Sequence, residues 1–336
     1  MLEGSKTVRL HVILIAAVLV VGTAVADAAD LAFKPVRNPP YGGLFAFDTG
    51  VVKGELRADD ASQGFHRFVD VKSGTALAYG HDNPGILSYY RLLSAGERWG
   101  EDFRAWPKSA KILPDGAVQI HWPPRDDHPV ELTATYRWRL PDTLDLETII
   151  RPEPDVARVE VFLSSYFDKD FRSRVYVQAP RHAPGKPHFM PLDANPMIVG
   201  TYLAFPRDLR AAQLVYDGRW ERGRHPVQFS VTRFLAAPLA LKRNIKNGVT
   251  VVVMARPEDC FAIEAPYDKE PPDGVAGHCS LYLSLFGQDL KAGQTARAHT
   301  RLVVGQDIAE QGALDLYQKF LEEMEQRRNK GGGGRY

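Results

Sequence analysis

The feature that most constrains this chain is a two-residue alternation of apolar and polar side chains, which recurs from about residue 40 to residue 305. It is clearest at 130–140. There the apolar face of the pattern carries Val130, Leu132, Ala134, Tyr136, Trp138 and Leu140, and the polar face carries Glu131, Thr133, Thr135, Arg137 and Arg139. Such a strand is typical of an antiparallel sheet with one side on a core.

The alternation returns at 118–122 and 296–304, and further strand candidates lie at 159–167, 173–178, 213–216, 227–234, 249–255 and 281–286. Turn signals such as Pro114-Asp115-Gly116 and Asn247-Gly248 separate the strands. Many short strands without helical patterns between them predict an all-β fold, a large two-sheet antiparallel β-sandwich.

Only the C-terminus has helical periodicity, with an apolar stripe that includes Leu314, Tyr317, Phe320 and Met324. We expect this amphipathic helix to pack on the sandwich, although a partner-binding role stays open. The predicted organisation is a signal peptide at 1–26, a β-sandwich domain at 27–306, the C-terminal helix at 307–330 and a flexible tail at 331–336.

The first residues follow the three-part pattern of a secretory signal. Lys6 and Arg9 precede the apolar run 12–21, and Ala24-Val25-Ala26 supplies a small-residue cleavage site. The run is short for a bilayer span, so we expect no stable membrane span after cleavage and a secreted or periplasmic location. An uncleaved anchor is the alternative.

Charge and cysteine content exclude several classes of protein. Lys and Arg number 42 against 41 Asp and Glu, a net charge of +1, so no nucleic-acid partner is expected. The oligomeric state is left open. Cys260 and Cys279 are the two cysteines, and in an oxidising compartment they form a candidate disulfide, with unbridged thiols as the alternative.

Near the end of the chain, one strand leads through Leu290-Lys291-Ala292-Gly293-Gln294-Thr295 into a strongly alternating last strand. This ending, after a long run of antiparallel strands, resembles the galactose-mutarotase-like β-sandwich group. The resemblance implies a saccharide ligand, since the group includes aldose epimerases, polysaccharide lyase domains and accessory domains of glycoside hydrolases. It carries over no catalytic residue, because the histidine and glutamate contexts of aldose epimerases have no clear match here.

The densest group of functional side-chain types lies at 81–106. Sugars stack on aromatic rings and hydrogen-bond carboxylates and guanidinium groups, and this stretch offers all of these. The catalytic candidates are His81, Glu101 and Asp102, and the substrate-binding candidates are Tyr89, Tyr90, Arg98, Trp99, Arg104 and Trp106. The alternative is that the aromatic residues belong to the core and the charges form surface pairs.

Three further stretches carry candidates. His188 ends a Pro/Gly-rich loop at 181–188, while Arg219 and Trp220 lie in a basic loop that suits an acidic sugar. His278 and Glu264 form a candidate acid/base pair. For both loops, a solvent-exposed turn without a ligand is the alternative.

The sequence predicts an exported carbohydrate-active protein that binds a saccharide, or a polysaccharide, on a concave sheet. Acid/base chemistry at a sugar carbon by His and carboxylate, of epimerase, lyase or glycosidase type, is the expected mechanism. The alternative is a non-catalytic polysaccharide-binding or envelope-assembly module. No cofactor is required, and Ca²⁺ is left open.

Overall fold

The computed structural model of the chain describes residues 31–37, 43–58, 63–80, 85–95, 97–99, 103–126, 128–180, 182–192, 202–222, 226–266 and 279–331. The elements of its first half are β1 (Lys34–Arg37), β2 (Leu44–Asp48), β3 (Val52–Arg57), β4 (Gly64–Asp70), β5 (Ser88–Ser94), β6 (Glu97–Trp99), β7 (Ser109–Ile112), β8 (Val118–Trp122), β9 (Val130–Leu140), β10 (Thr143–Pro152) and β11 (Val156–Phe167). Those of its second half are β12 (Phe171–Val177), β13 (His188–Pro191), β14 (Tyr202–Pro206), α1 (Leu209–Val215), β15 (Phe229–Val231), β16 (Leu235–Asn244), β17 (Val249–Ala255), β18 (Cys260–Pro266), β19 (Cys279–Leu290), β20 (Ala296–Gln306) and α2 (Glu310–Gly331).

Two large sheets face each other. The nine-stranded sheet has the order β13-β12-β16-β17-β20-β10-β9-β8-β7, and the seven-stranded sheet the order β15-β14-β18-β19-β11-β5-β6. One continuous apolar core, with side chains such as Val161, Leu283, Leu146 and Val253, fills the space between them. The predicted all-β sandwich is confirmed, and a four-stranded sheet, β1-β2-β3-β4, adds to it.

The alternation at 130–140 behaves as predicted. In β9 the side chains of Leu132, Tyr136 and Trp138 are buried, and β9 pairs with β10 in an antiparallel hairpin. Leu140 differs from the prediction and is 49% exposed, because it ends the strand at the Pro141-Asp142 turn, beyond the edge of the core.

The four-stranded sheet covers one end of the core with aromatic rings. Phe47 meets Trp138 of β9 with ring centroids 5.1 Å apart, and Phe65 meets Tyr136 at 5.5 Å. The Phe65–Tyr136 pair is edge-to-face and the Phe47–Trp138 pair is tilted, and aromatic pairs of this kind stabilise the fold beyond the burial of their apolar area. The sheet is therefore part of the sandwich rather than an appendage.

The C-terminal helix docks as predicted. Tyr317, Phe320 and Met324 of α2 are buried against the outer face of the nine-stranded sheet, where they pack with Val252 and Met254. This contact explains why β17 is buried along its whole length. None of the helices in the described ranges is long and apolar enough to cross a membrane.

The predicted strand at 213–216 is wrong. The chain forms the short helix α1 at 209–215, which Asp208 caps by accepting a hydrogen bond from the backbone N–H of Ala211 at 2.8 Å. The apolar residues of so short a segment fit either period, so the helix cap decides the conformation. Ala211 and Leu214 then cover the outer face of the seven-stranded sheet.

The predicted disulfide is also wrong, and both cysteines remain buried thiols. Cys260 pairs with Leu285 in the β18/β19 ladder, whereas Cys279 lies at the opposite end of β19 and pairs with Phe167. Because a strand rises about 3.4 Å per residue, the two positions are roughly 20 Å apart, far beyond bridging distance. The predicted signal peptide at 1–26 lies outside the described residues.

Candidate functional site

The outer face of the seven-stranded sheet carries side chains that a plain core would not need. In β11 the residues Val161, Leu163 and Phe167 point into the core, so Glu160, Phe162, Ser164 and Tyr166 point outward. In β19 the same alternation directs Leu281 and Leu283 inward and Ser280, Tyr282 and Ser284 outward.

A bulge in β5 adds two functional side chains to this face. Arg91 pairs with Phe162 and Tyr89 pairs with Leu163, so Tyr90 is the extra residue. Tyr90 and Arg91 consequently lie on the same outer face although they are consecutive in sequence, and the Arg91 guanidinium donates to the Tyr90 hydroxyl at 3.2 Å.

Aromatic rings form a continuous surface here, which we call the aromatic face and define by Tyr90, Phe162, Tyr166, Tyr202, Trp220 and Tyr282. Phe162 lies at its centre, with its ring centroid 4.6 Å from Trp220 and 4.8 Å from Tyr282. Tyr90 and Tyr202 are half-buried, and they are the members of this surface that solvent reaches most.

Two buried guanidinium groups stack on the aromatic face. Arg104 lies 4.2 Å from the centroid of the Tyr90 ring, and Arg91 lies 5.0 Å from that of Trp220. Arginine favours such positions because its planar group is weakly hydrated and is attracted by the ring faces. The face therefore combines aromatic rings with buried arginine side chains.

A pair of buried carboxyl groups lies beside the rings. The Ser284 Oγ is 2.7 Å from Glu160 Oε1 and 2.9 Å from Glu264 Oε1, so one hydroxyl bridges the two side chains. Both glutamates are 1% exposed. The other oxygen of Glu264, Oε2, is buried without a hydrogen-bond partner among the described residues.

Arg219 holds one of these carboxyl groups. Its guanidinium donates to Glu160 Oε2 at 3.0 Å and forms a two-pronged contact with Asp217, at 2.9 Å and 2.8 Å. Arg219 is fully buried, so these contacts are shielded from solvent. Glu160 is therefore stabilised as a carboxylate, and both of its oxygens are occupied.

The hydrogen-bond pattern locates a proton. A serine hydroxyl donates only one hydrogen bond, so if Ser284 bridges two carboxyl groups, one of them must donate to it. Burial raises the pKa of both groups, but Arg219 opposes this at Glu160, whereas at Glu264 the nearby Glu160 charge raises the pKa further. Glu264 is thus the neutral acid: it donates from Oε1 to Ser284, which donates to Glu160.

The structure brings together candidates from stretches that are far apart in sequence. Tyr90 and Arg104 come from the 81–106 cluster, Arg219 and Trp220 from the basic loop, and Glu264 from β18. All five lie on or against the aromatic face.

Other candidates lie elsewhere. Tyr89 points into the core, where its hydroxyl is 2.6 Å from Thr148 Oγ1, because the β5 bulge reverses the alternation. Trp99 packs on the core between the sheets, and so does Trp106, whose ring also lies 3.5 Å from that of His128. His188 is exposed on β13, an edge strand of the other large sheet. Tyr89 is fully buried in the core, so its predicted substrate-binding role is wrong. Trp99, Trp106 and His188 lie away from the aromatic face, and their predicted roles stay predictions.

The remaining candidates are not placed. His81, Glu101, Asp102 and His278 lie outside the described residues, as does the side chain of Arg98. Where side chains are described, no group of three or more His, Cys, Asp or Glu is arranged to hold a metal ion.

Glu160 and Ser284 were missed by the sequence analysis, together with the aromatic partners Tyr166, Tyr202 and Tyr282. A usable signal was present. Glu160 lies within the apolar stretch 159–167 and Glu264 within 260–266, and an acidic residue inside a buried strand needs a polar partner. Pairing across strands, which supplies that partner, is not visible in one sequence.

No family model matches the chain, and no curated protein matches it significantly. Among solved structures, an α-N-acetylgalactosaminidase from Bifidobacterium bifidum is 13% identical with a TM-score of 0.50, covering 83% of this chain and 38% of that chain. A galactose mutarotase-like protein from Clostridium acetobutylicum is 11% identical with a TM-score of 0.46, covering 83% of this chain and 99% of that one. A galactose 1-epimerase from Lactobacillus acidophilus is 9% identical with a TM-score of 0.44, covering 82% and 98%. At these identities the likeness to the α-N-acetylgalactosaminidase is one of fold alone.

Proposed function

We propose that the aromatic face binds a saccharide and that Glu264 accepts a hydrogen bond from one of its hydroxyl groups. The observation that supports this most is the buried Oε2 of Glu264, which has no partner within the described ranges. A buried acceptor without a partner costs free energy, and a ligand hydroxyl would remove that cost. Glu264 lies directly opposite Tyr282 in the β18/β19 ladder, so the side chain of Glu264, with its Oε2, is on the same side of the sheet as the aromatic face.

The rings supply the rest of a sugar site. Tyr202 is half-buried, which leaves ring surface for the C–H face of a pyranose, whereas the ring of Tyr90 already carries the guanidinium groups of Arg91 and Arg104. Arg91 and Arg104 are buried and stack on the rings, so they hold the aromatic face in place. A saccharide is therefore the proposed ligand class.

The bridged carboxyl groups suit proton transfer. When a sugar hydroxyl gives its proton to Glu264 Oε2, the proton on Oε1 passes to Ser284, and the serine proton passes to Glu160. Glu264 stays neutral throughout, and the charge moves from Glu160 to the sugar oxygen. Glu160 is then the base, with Glu264 and Ser284 as its relay.

This relay supports isomerase-type chemistry at the anomeric centre, in which a hydroxyl is deprotonated. Cleavage by two carboxyl groups requires both to face the substrate. Glu160 does not meet that requirement, because Arg219 and Ser284 occupy its oxygens. A lyase or glycosidase is accordingly less well supported.

A non-catalytic saccharide-binding module is the second candidate. One observation favours it: among the described residues, the aromatic face carries no histidine that would act as the acid on the opposite side of the sugar. Such a module would use the same rings for stacking, and Glu264 only as an acceptor.

Export is part of the proposal. It rests on the pattern of Lys6 and Arg9, the apolar run 12–21 and Ala24-Val25-Ala26. Intact mass of the protein recovered from the growth medium or the periplasm tests it, with a chain that begins at Asp27 expected and an uncleaved chain in the cytoplasm contradicting it.

A binding screen over neutral and acidic oligosaccharides, followed by product analysis of each ligand that binds, tests the function. Ser284→Ala breaks the relay, so binding should persist while turnover is lost. Ser280→Ala removes a hydroxyl from the same strand and face without touching the two glutamates, and it should retain turnover. No binding to any glycan would refute the proposal, and binding without turnover in the wild type would select the second candidate.

A further inference from the structure

A polar cavity lies on the opposite side of the molecule from the aromatic face, between α2 and the outer face of the nine-stranded sheet. We call it the helix groove. It measures about 220 Å³, and its walls include Arg137, Arg139, Asp145, His299, Met324 and Arg327. Sites for drug-sized ligands begin at about 300 Å³, so this volume suits a small molecule or a single charged group.

Three guanidinium groups converge on one carboxylate in the helix groove. Asp145 Oδ2 accepts from Arg139 Nε at 2.9 Å, from Arg327 at 3.0 Å and from Arg301 at 3.1 Å. Glu323 also accepts from Arg301, at 2.7 Å, and is the only other acid in contact with the three arginines among the described residues. Three cations therefore face two anions, which leaves one positive charge in excess.

Arg139 has donors to spare. Its Nε–H is the only one of its N–H groups that forms a hydrogen bond within the described part of the chain, and its side chain is 34% exposed. The charges of Arg327 and Arg137 act on it, and burial together with these charges lowers its pKa despite the contact with Asp145. The terminal guanidinium nitrogens of Arg139 are thus positioned to hold an anion.

The other acid of the groove is already occupied. Glu147 Oε1 lies 3.2 Å from Arg297 and 3.5 Å from His299, which in turn lies 3.4 Å from Asp259. Asp145 is saturated by its three arginines. Neither Asp145 nor Glu147 therefore accepts a hydrogen bond from the terminal guanidinium nitrogens of Arg139.

We propose that the helix groove binds a small oxyanion, a phosphate, sulfate or carboxylate group, through the terminal nitrogens of Arg139 with support from Arg327. The guanidinium fork matches two oxygens of such a group. Because Arg327 belongs to α2 and Arg139 to β9, a bound oxyanion also ties the helix to the sheet. This site is independent of the aromatic face, on the other sheet.

Met324 supplies a local probe, because its side chain lines the helix groove and the chain has only 5 methionines. Protein labelled with ¹³C at the methionine methyl groups is titrated separately with inorganic phosphate, sulfate and acetate at constant ionic strength, and Met324→Leu assigns the signal. A saturable shift of the Met324 signal is expected, while Met190 stays unchanged. The relative affinities for phosphate, sulfate and acetate show whether the groove prefers a phosphate, a sulfate or a carboxylate group.

Arg139→Gln should weaken the binding about tenfold or more, the effect of losing a charge-assisted contact. Arg243→Gln is the matched control, because Arg243 is a half-exposed arginine of the same sheet whose partner is Asp307, away from the groove. If Arg139→Gln proves unstable, Arg327→Gln tests the same contact from the helix. The proposal is overturned if none of the anions gives a saturable shift, or if Arg139→Gln binds as tightly as Arg243→Gln.

Discussion

Replacing Glu264 by glutamine tests where the buried proton lies. Glutamine keeps the shape of the neutral acid and still donates to Ser284, but it does not titrate. Burial, and then the charge of Glu160, raise the pKa of Glu264 well above its usual value, so above about pH 5 the unfolded chain releases a proton that the native chain keeps. The stability of the wild type therefore falls as pH rises, and that of Glu264→Gln escapes this loss.

The size of the effect follows from linkage. One proton retained by the native state alone changes the free energy of unfolding by about 1.4 kcal/mol per pH unit, so roughly 2.7 kcal/mol accumulates between pH 5 and pH 7. Urea unfolding of both proteins at pH 5, 6 and 7 measures the difference, which should move in favour of the variant by that amount.

The control is Asp115→Asn. Hydrogen bonds from the Ala117 N–H and Arg137 outweigh a partial desolvation and lower the pKa of Asp115, so its carboxyl group is ionised in both states across this range. Its stability difference from the wild type should not vary between pH 5 and pH 7. If the Glu264→Gln difference were equally constant from pH 5 to pH 7, Glu264 would be ionised in the native protein and the relay as described would be wrong.

Three further outcomes are expected. Arg219→Gln leaves the carboxylate of Glu160 buried without its cation and should cost about 3–5 kcal/mol in urea unfolding; a loss below about 1 kcal/mol would contradict the buried pair. Phe320→Ala should destabilise the docked C-terminal helix by about 3–5 kcal/mol, which is measured as faster amide hydrogen exchange in residues 310–329 than in the rest of the protein. An equal change of the exchange rate along the whole chain would argue against docking. Burial lowers the pKa of His299, but Asp259 and Glu147 outweigh it and raise this pKa above its usual value. The protonated His299 therefore stabilises the fold fully below its usual pKa, and this stabilisation is lost as the pH rises through the raised pKa. An NMR titration of His299 with a midpoint at or below 6.5 would refute this.

The sheet architecture was predictable because each strand with one exposed face shows its alternation in the sequence, as 130–140 does. Strands covered on both faces do not. β17, β18 and β19 are almost wholly buried, since α2 or the segment around α1 covers their outer sides. The short helix α1 was missed for a related reason, because its apolar residues fit two periods and its cap at Asp208 is a single side chain.

The candidate site was predictable in composition and only partly in position. Tyr90 reached the aromatic face, and its neighbour Tyr89 did not, because a single-residue bulge decides which of them points outward. Glu160 and Glu264 meet through Ser284 only because β18, β19 and β11 are neighbours in the sheet. Strand order and bulges depend on tertiary packing, so residue types alone do not reveal them.

The most direct test of the central claim is a crystal structure of the protein with the tightest-binding oligosaccharide from the screen. A sugar ring stacked on Tyr202, with a hydroxyl within hydrogen-bond distance of Glu264 Oε2, is the predicted result. A saccharide bound anywhere else on the molecule, with Glu264 Oε2 still without a ligand contact, would contradict the account.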